Sequence, residues 1–181
     1  MGEARRRKLI EKLTAPYPKD NDEARHLGAA FHRGIKEDIE RCGRSVVCVP
    51  DGDPSFAYTI GNWLRLLPEL LCIIPARDIT ELVGSLNHAS DIQRDRGKAF
   101  PDSELVSLDG KYPVKFINAT TPHVKRTYTI QAGQHFHHQI YEVRQMLIPD
   151  REGRFPGDPL CNGHFAQQLT IGCNYEASSP A

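Results

Sequence analysis

Several absences narrow what this 181-residue chain can be. It has no net charge: Lys plus Arg and Asp plus Glu each total 23. Neutralising phosphates supplies most non-specific affinity for nucleic acid, so this balance argues against a dedicated duplex-binding protein. The local exception is Arg5-Arg6-Arg7-Lys8, which reads first as a solvated helix face. No apolar run approaches the ~18–20 residues that cross a bilayer. The charged N-terminus lacks the apolar stretch of a signal peptide, and Arg6 stands where a myristoylation signal needs Ser or Thr. The expected compartment is the cytoplasm, with no membrane partner. The five cysteines are an odd number and form no Cys-x-x-Cys pair, which excludes a simple disulfide framework and a redox motif. Also missing are Gly-x-Ser-x-Gly, Walker and His-Glu-x-x-His motifs and a Gly-rich phosphate turn.

What is present suits one domain. Hydrophobic residues make up 39% and charged residues 25%, enough apolar material for a core and no sign of wholesale disorder. The segment 1–20 is expected to be an N-terminal arm with a short helix broken at Pro16 and Pro18. Residues 21–175 are expected to form the domain and 176–181 a frayed tail.

The periodicity predicts a helix from Asp22 to Cys42, with Leu27, Phe31, Ile35 and Ile39 on one face and Gly43 as its stop. Val46–Val49 and Phe56–Gly61 read as an antiparallel pair. Alternation puts Phe56, Tyr58 and Ile60 on one face, Ala57 and Thr59 on the other. Trp63, Leu64, Leu66 and Leu67 are expected to make a helical turn closing over the sheet. Leu70–Ile74 is apolar throughout, as a central strand buried on both sides would be.

Next come a helix from Asp78 to about Asp95, strands at 104–108 and 112–119 joined through Asp109-Gly110, and a helix over 124–137. A strand is expected at 140–148, and a short one at Gln167–Ile171. The sum is an α+β single domain: a mainly antiparallel sheet of about five to six strands, with helices packed on one face.

Several strings occur in a telling order: Phe56-Ala57-Tyr58-Thr59-Ile60-Gly61, Pro68-Glu69-Leu70, Leu86-Asn87, Pro149-Asp150 and Gly153-x-Phe155-Pro156. Over roughly residues 35–170 the chain resembles the bacterial family called domain of unknown function 4262. That family usually has Gly-Leu after Thr-Ile, His before Pro-Glu-Leu and Trp after Phe-Pro; here Asn62, Leu67 and Gly157 stand there. The resemblance implies a fold unit and a bacterial origin, and carries no reaction with it.

The candidate chemistry is scattered. His135, His137 and His138 offer imidazole ligands for a divalent metal, as do Cys161 and His164, but neither set completes a ligand sphere. Exposed or capping histidines and a surface thiol are the competing readings. Cys161 with His164 is also the one local thiol–base pair. Tyr58, Thr59, Gln145 and Asp150 could line a ligand pocket at the strand ends, with Asp150 as a general base beside Tyr58 and Thr59 if burial raised its pKa. Against this, Asp150-Arg151-Glu152-Gly153 makes an ordinary turn in which Asp bonds local amides, and Tyr58 and Thr59 point to opposite faces of a regular strand. A bulge or close backbone approach at Gly61 would relax that objection. The leading expectation is a domain that binds a small molecule or a protein partner. The alternative is a small hydrolase-like or metal-dependent enzyme.

Overall fold

The computed structural model describes residues 21–50, 54–74, 79–108, 112–137, 140–168 and 170–171. The expected N-terminal arm, C-terminal tail and Asp109-Gly110 turn lie outside them.

Helix α1, Asn21–Cys42, leads into strands β1 (Ser45–Val49) and β2 (Phe56–Ile60). A single 3-10 turn, Asn62–Arg65, precedes β3, Glu69–Ile73. Helix α2 (Ile79–Arg96), strands β4 (Leu105–Leu108) and β5 (Tyr112–Asn118), helices α3 (Pro122–Thr127) and α4 (Ile130–His135), strand β6 (Val143–Leu147) and helix α5 (Gly163–Ala166) follow. The six strands lie in the order β1-β2-β3-β6-β5-β4. Two antiparallel meanders, β1-β2-β3 and β4-β5-β6, meet at a parallel β3–β6 pair that sets Leu71 beside Gln145.

The helices cover both faces, not one as expected. The reason is β3, buried at every position: a strand apolar on both sides needs cover on both. On one face Tyr58, Ile60, Leu71 and Ile73 pack with Ile35 of α1, Val124 of α3 and Ala132 of α4. On the other, Ala57, Leu70 and Cys72 pack with Leu82, Leu86 and Ala89 of α2. The alternation expected for β2 therefore holds.

Three further expectations change. The 124–137 helix is two short helices parted at Tyr128-Thr129, where Thr129 Oγ1 lies 2.8 Å from the Tyr141 hydroxyl and the Thr129 carbonyl accepts from that hydroxyl at 3.1 Å. A Thr that binds a side chain across the core competes with the helical ladder. The last strand begins at Val143, because Tyr141 turns inward to Thr129 while Ile140 stays 82% exposed. No strand forms among the described residues of 167–171. Side-chain amides imitate one: Gln168 accepts from the Ile148 amide and donates to its carbonyl, both at 3.0 Å, and Gln145 Oε1 accepts from the Ile171 amide at 2.9 Å.

Candidate functional site

The chain turns between β2 and β3 around one side chain. Gly61 has φ 125°, and a Cβ there would stand 2.8 Å from the Gly43 carbonyl oxygen and 2.9 Å from Arg44 Cα. Only glycine fits so close an approach at that φ. The turn that results points two amides inward: Gly61 N and Trp63 N each donate to Glu69 Oε1 at 2.9 Å. The Thr59 hydroxyl donates to Glu69 Oε2 at 2.6 Å and accepts from the Leu70 amide at 2.8 Å. Asn62 Nδ2 lies 3.3 Å from Thr59 Oγ1, 3.3 Å from the Pro68 carbonyl oxygen and 3.1 Å from Ser90 Oγ of α2. Gln93 donates to the same Pro68 carbonyl at 2.9 Å, and its Oε1 is buried with no partner.

Glu69 is completely buried, and among the described residues no cation pairs with it. Burial raises its pKa to about 7, although the Thr59 hydroxyl and the amides of Trp63, Gly61 and Asn62 pull the other way. An uncompensated buried carboxylate behaves so: donors reduce the desolvation cost without cancelling it.

The cage supports an exposed knuckle. Trp63 is half-buried, while Leu64 and Leu66 are 60% and 81% exposed, outward and not over the sheet as expected. Leu66 sits at φ 57°, the left-handed region that bulky residues avoid. Its amide donates to the Trp63 carbonyl at 2.9 Å, and Arg65 donates to the Gly43 carbonyl at 3.1 Å. The turn is thus tied down on both flanks. Asn62 and Leu67, where the chain departs from the family pattern, are both buried here.

The residues singled out in the sequence occupy separate places. Tyr58 and Gln145 stand on one face, on either side of Leu71. The Tyr58 hydroxyl donates to Gln131 Oε1, and burial pushes the phenol above its ordinary range. Thr59 belongs to the Glu69 cage. Asp150 lies beyond β6, where Oδ1 accepts from the Glu152 and Arg154 amides at 3.0 and 2.9 Å. Its Oδ2 accepts from the Asn162 amide and from Arg154 Nε, both at 2.9 Å. Burial by itself would raise this carboxyl, but the Arg154 and Asn162 amides and the Arg154 guanidinium outweigh it and hold it at about 2. The loop so fixed borders an open cleft of about 340 Å³ lined by Arg151, Glu152, Asn162 and Phe165.

No group of three or more His, Cys, Asp or Glu is placed to hold a metal among the described residues. His138 and the His164 side chain lie outside them. His137 is exposed at φ 51°. Burial lowers the His135 pKa, with Lys36, His137 and His32 adding to the effect. Cys161 is buried against the Arg154 carbonyl at 3.5 Å; burial, then the Asp150 charge, pushes its thiol up, away from thiolate chemistry.

Glu69 is what reading the residues missed. The signal was there: a lone acid opening an otherwise apolar strand, behind a Thr-Ile-Gly string.

Fold and site together define a class, an α+β domain whose central sheet is covered on both faces and whose β2–β3 turn is built on a buried carboxylate. The family model described as Domain of unknown function (DUF4262) matches residues 38–162, and the chain belongs to that family. The match takes in both the Glu69 cage and the Asp150 loop. No curated protein and no solved structure matches the chain. No helix among the described residues is long and apolar enough to cross a membrane.

Proposed function

We propose that this domain is a binding module and that the Trp63–Leu66 knuckle is its recognition element for a protein partner. The observation that carries the reading is Leu66: a bulky apolar side chain, 81% exposed, held at a positive φ by a buried polar cage. Strain maintained by surrounding structure at an exposed position is a pointer to function. The partner we infer offers an apolar pocket for Leu64 and Leu66 and a carboxylate for the exposed Arg65. To test this, Leu64 is replaced by a photo-cross-linking residue in the full chain and irradiated in cells. One adduct with a different protein, lost on Leu66→Asp, is expected; Asp tolerates the left-handed region, so the fold should hold. Adducts only with further copies of this chain, or none, would overturn the reading.

A second reading, a small ligand, rests on the cleft beside Asp150, whose volume falls within the range of small-molecule sites. Arg151 would meet an anionic group and Phe165 an apolar body. Native mass spectrometry of protein taken from cells should then show a retained molecule that Arg151→Ala loses.

The hydrolase-like or metal-dependent enzyme has less support. Asp150 already accepts from three amides and a guanidinium and sits far below the range of a general base. The compartment we infer is the bacterial cytoplasm, a reading that the free thiols of Cys42, Cys48, Cys72 and Cys161 support.

A further inference from the structure

The cleft beside Asp150 has two walls, and one buried carboxylate ties them together. Its Oδ1 accepts from the Glu152 and Arg154 amides on one wall, and its Oδ2 from the Asn162 amide on the other. The first wall is a tight turn. Gly153 N donates to the Asp150 carbonyl at 3.0 Å, and Asp150 N to the Arg154 carbonyl at 2.8 Å. Arg151 and Glu152 are the two corner residues of that turn, both exposed and both lining the cleft. The second wall runs from Asn162 into α5, where Phe165 packs in part on the core that α2 covers. Walls held in place before a ligand arrives spare it the cost of ordering them.

The formal charges here cancel: Asp150 and Glu152 against Arg151 and Arg154. Arg154 is engaged by both acids, Nε with Asp150 Oδ2 at 2.9 Å and Nη2 with Glu152 Oε2 at 2.8 Å. Glu152 Oε1 and the whole Arg151 guanidinium have no partner among the described residues. A free cation and a free carboxylate oxygen thus stand on neighbouring residues of a fixed turn. A ligand with only a negative charge would meet Glu152 as well as Arg151, and one with only a positive charge the reverse. A ligand that carries both close together finds a partner for each.

Size and lining narrow the class further. At about 340 Å³ the cleft stands at the small end of ligand sites, which span roughly 300–1,000 Å³, and it is too small for a dinucleotide. Phe165 offers an aromatic surface to an apolar body. Building on the small-ligand reading of this cleft, we propose that it takes a free α-amino acid with a bulky apolar side chain. The carboxylate meets Arg151, the ammonium Glu152 Oε1 and the side chain Phe165.

L-leucine and L-phenylalanine, titrated into the full chain by calorimetry, test it, each beside the amine and the acid that lack one of its two charges. One or both amino acids should bind saturably. Each single-charge analogue should bind about tenfold more weakly, the loss expected for one charged contact. Arg151→Gln should remove the advantage over the amine, and Glu152→Gln the advantage over the acid. Both side chains are exposed, so neither change disturbs the core. No saturable binding of either amino acid overturns the proposal. Binding that both variants leave unchanged lies elsewhere and overturns it too. An acid that binds as tightly as its amino acid sinks the zwitterion while the small-ligand reading stands; that reading ends only if native mass spectrometry finds no retained molecule.

Discussion

Glu69 and Asp150 are both buried carboxylates that accept backbone amides, yet they end at opposite extremes. Glu69 rises to about 7 and Asp150 falls to about 2. Depth separates them first: Glu69 sits in the core, where desolvation outweighs its donors, whereas at Asp150, in a loop, the Arg154 and Asn162 amides, and after them the Arg154 guanidinium 2.9 Å from Oδ2, outweigh desolvation. Neutral donors lower both carboxyls; the charge is favoured only where desolvation is smaller and a cation adds to them. Asp150 consequently acts as a fixed rivet for residues 150–162, and Glu69 as a group whose charge the fold opposes.

The largest test of this contrast removes the geometry of the cage. Gly61→Ala places a Cβ against the Gly43 carbonyl at a φ that alanine resists, and should destabilise the domain by about 4 kcal/mol in denaturant unfolding. A loss below about 1 kcal/mol would show that the β2–β3 turn can be rebuilt without the close approach.

The next test isolates the charge. Because the Glu69 pKa is raised in the fold, its favourable contribution is complete below its ordinary value of 4.5 and is lost as pH rises through about 7. Glu69→Gln lacks that loss, so its stability relative to the natural chain should improve by about 3 kcal/mol from pH 4.5 to pH 8. A pH-independent difference would break the contrast with Asp150. For Asp150 the sign is reversed: its contribution is present above its ordinary value of 3.8 and fades as pH falls toward about 2.

A third test sharpens the comparison by making the two sites alike. Arg154→Met removes the cation and leaves the amides, so the Asp150 carboxyl should move up in an NMR titration. If it stayed put, the amides alone would account for its depression. The smallest effect is expected at the knuckle. Leu66→Gly should stabilise the fold by about 1 kcal/mol, since glycine adopts φ 57° without cost, while weakening any partner that grips the leucine. Thermal unfolding reads the first effect and cross-linking the second.

Much of the architecture could be read from the residues. The face assignment within β2, the burial of β3 on both sides and the stop at Gly43 follow from periodicity and from glycine chemistry, which act over a few neighbouring positions. Boundaries moved where a distant partner competed with a local preference, as when Tyr141 drew Thr129 out of a helix and Gln168 took the place of a strand. Among the candidate residues, Thr59 stands out in the sequence for its place near the strand end, whereas its real neighbour, Glu69, is ten positions away and is brought to it only by the β2–β3 turn. Asp150 fits both a turn residue and a base, and spacing along the chain does not choose between them.

By itself, then, the sequence located the six strands of the sheet and determined which way their side chains alternate and which family they belong to, although the strand it suggests at 167–171 does not form among the described residues. Those are consequences of pattern along the chain. The tertiary structure decided which carboxylate has a cation beside it, because charge acts through space: Arg154 folds back onto Asp150, whereas no described Arg or Lys reaches Glu69. It also decided what Gly61 is for. That residue lets the end of β2 pass close to the α1–β1 link at Gly43 and Arg44, so that a turn of backbone amides closes over a buried acid.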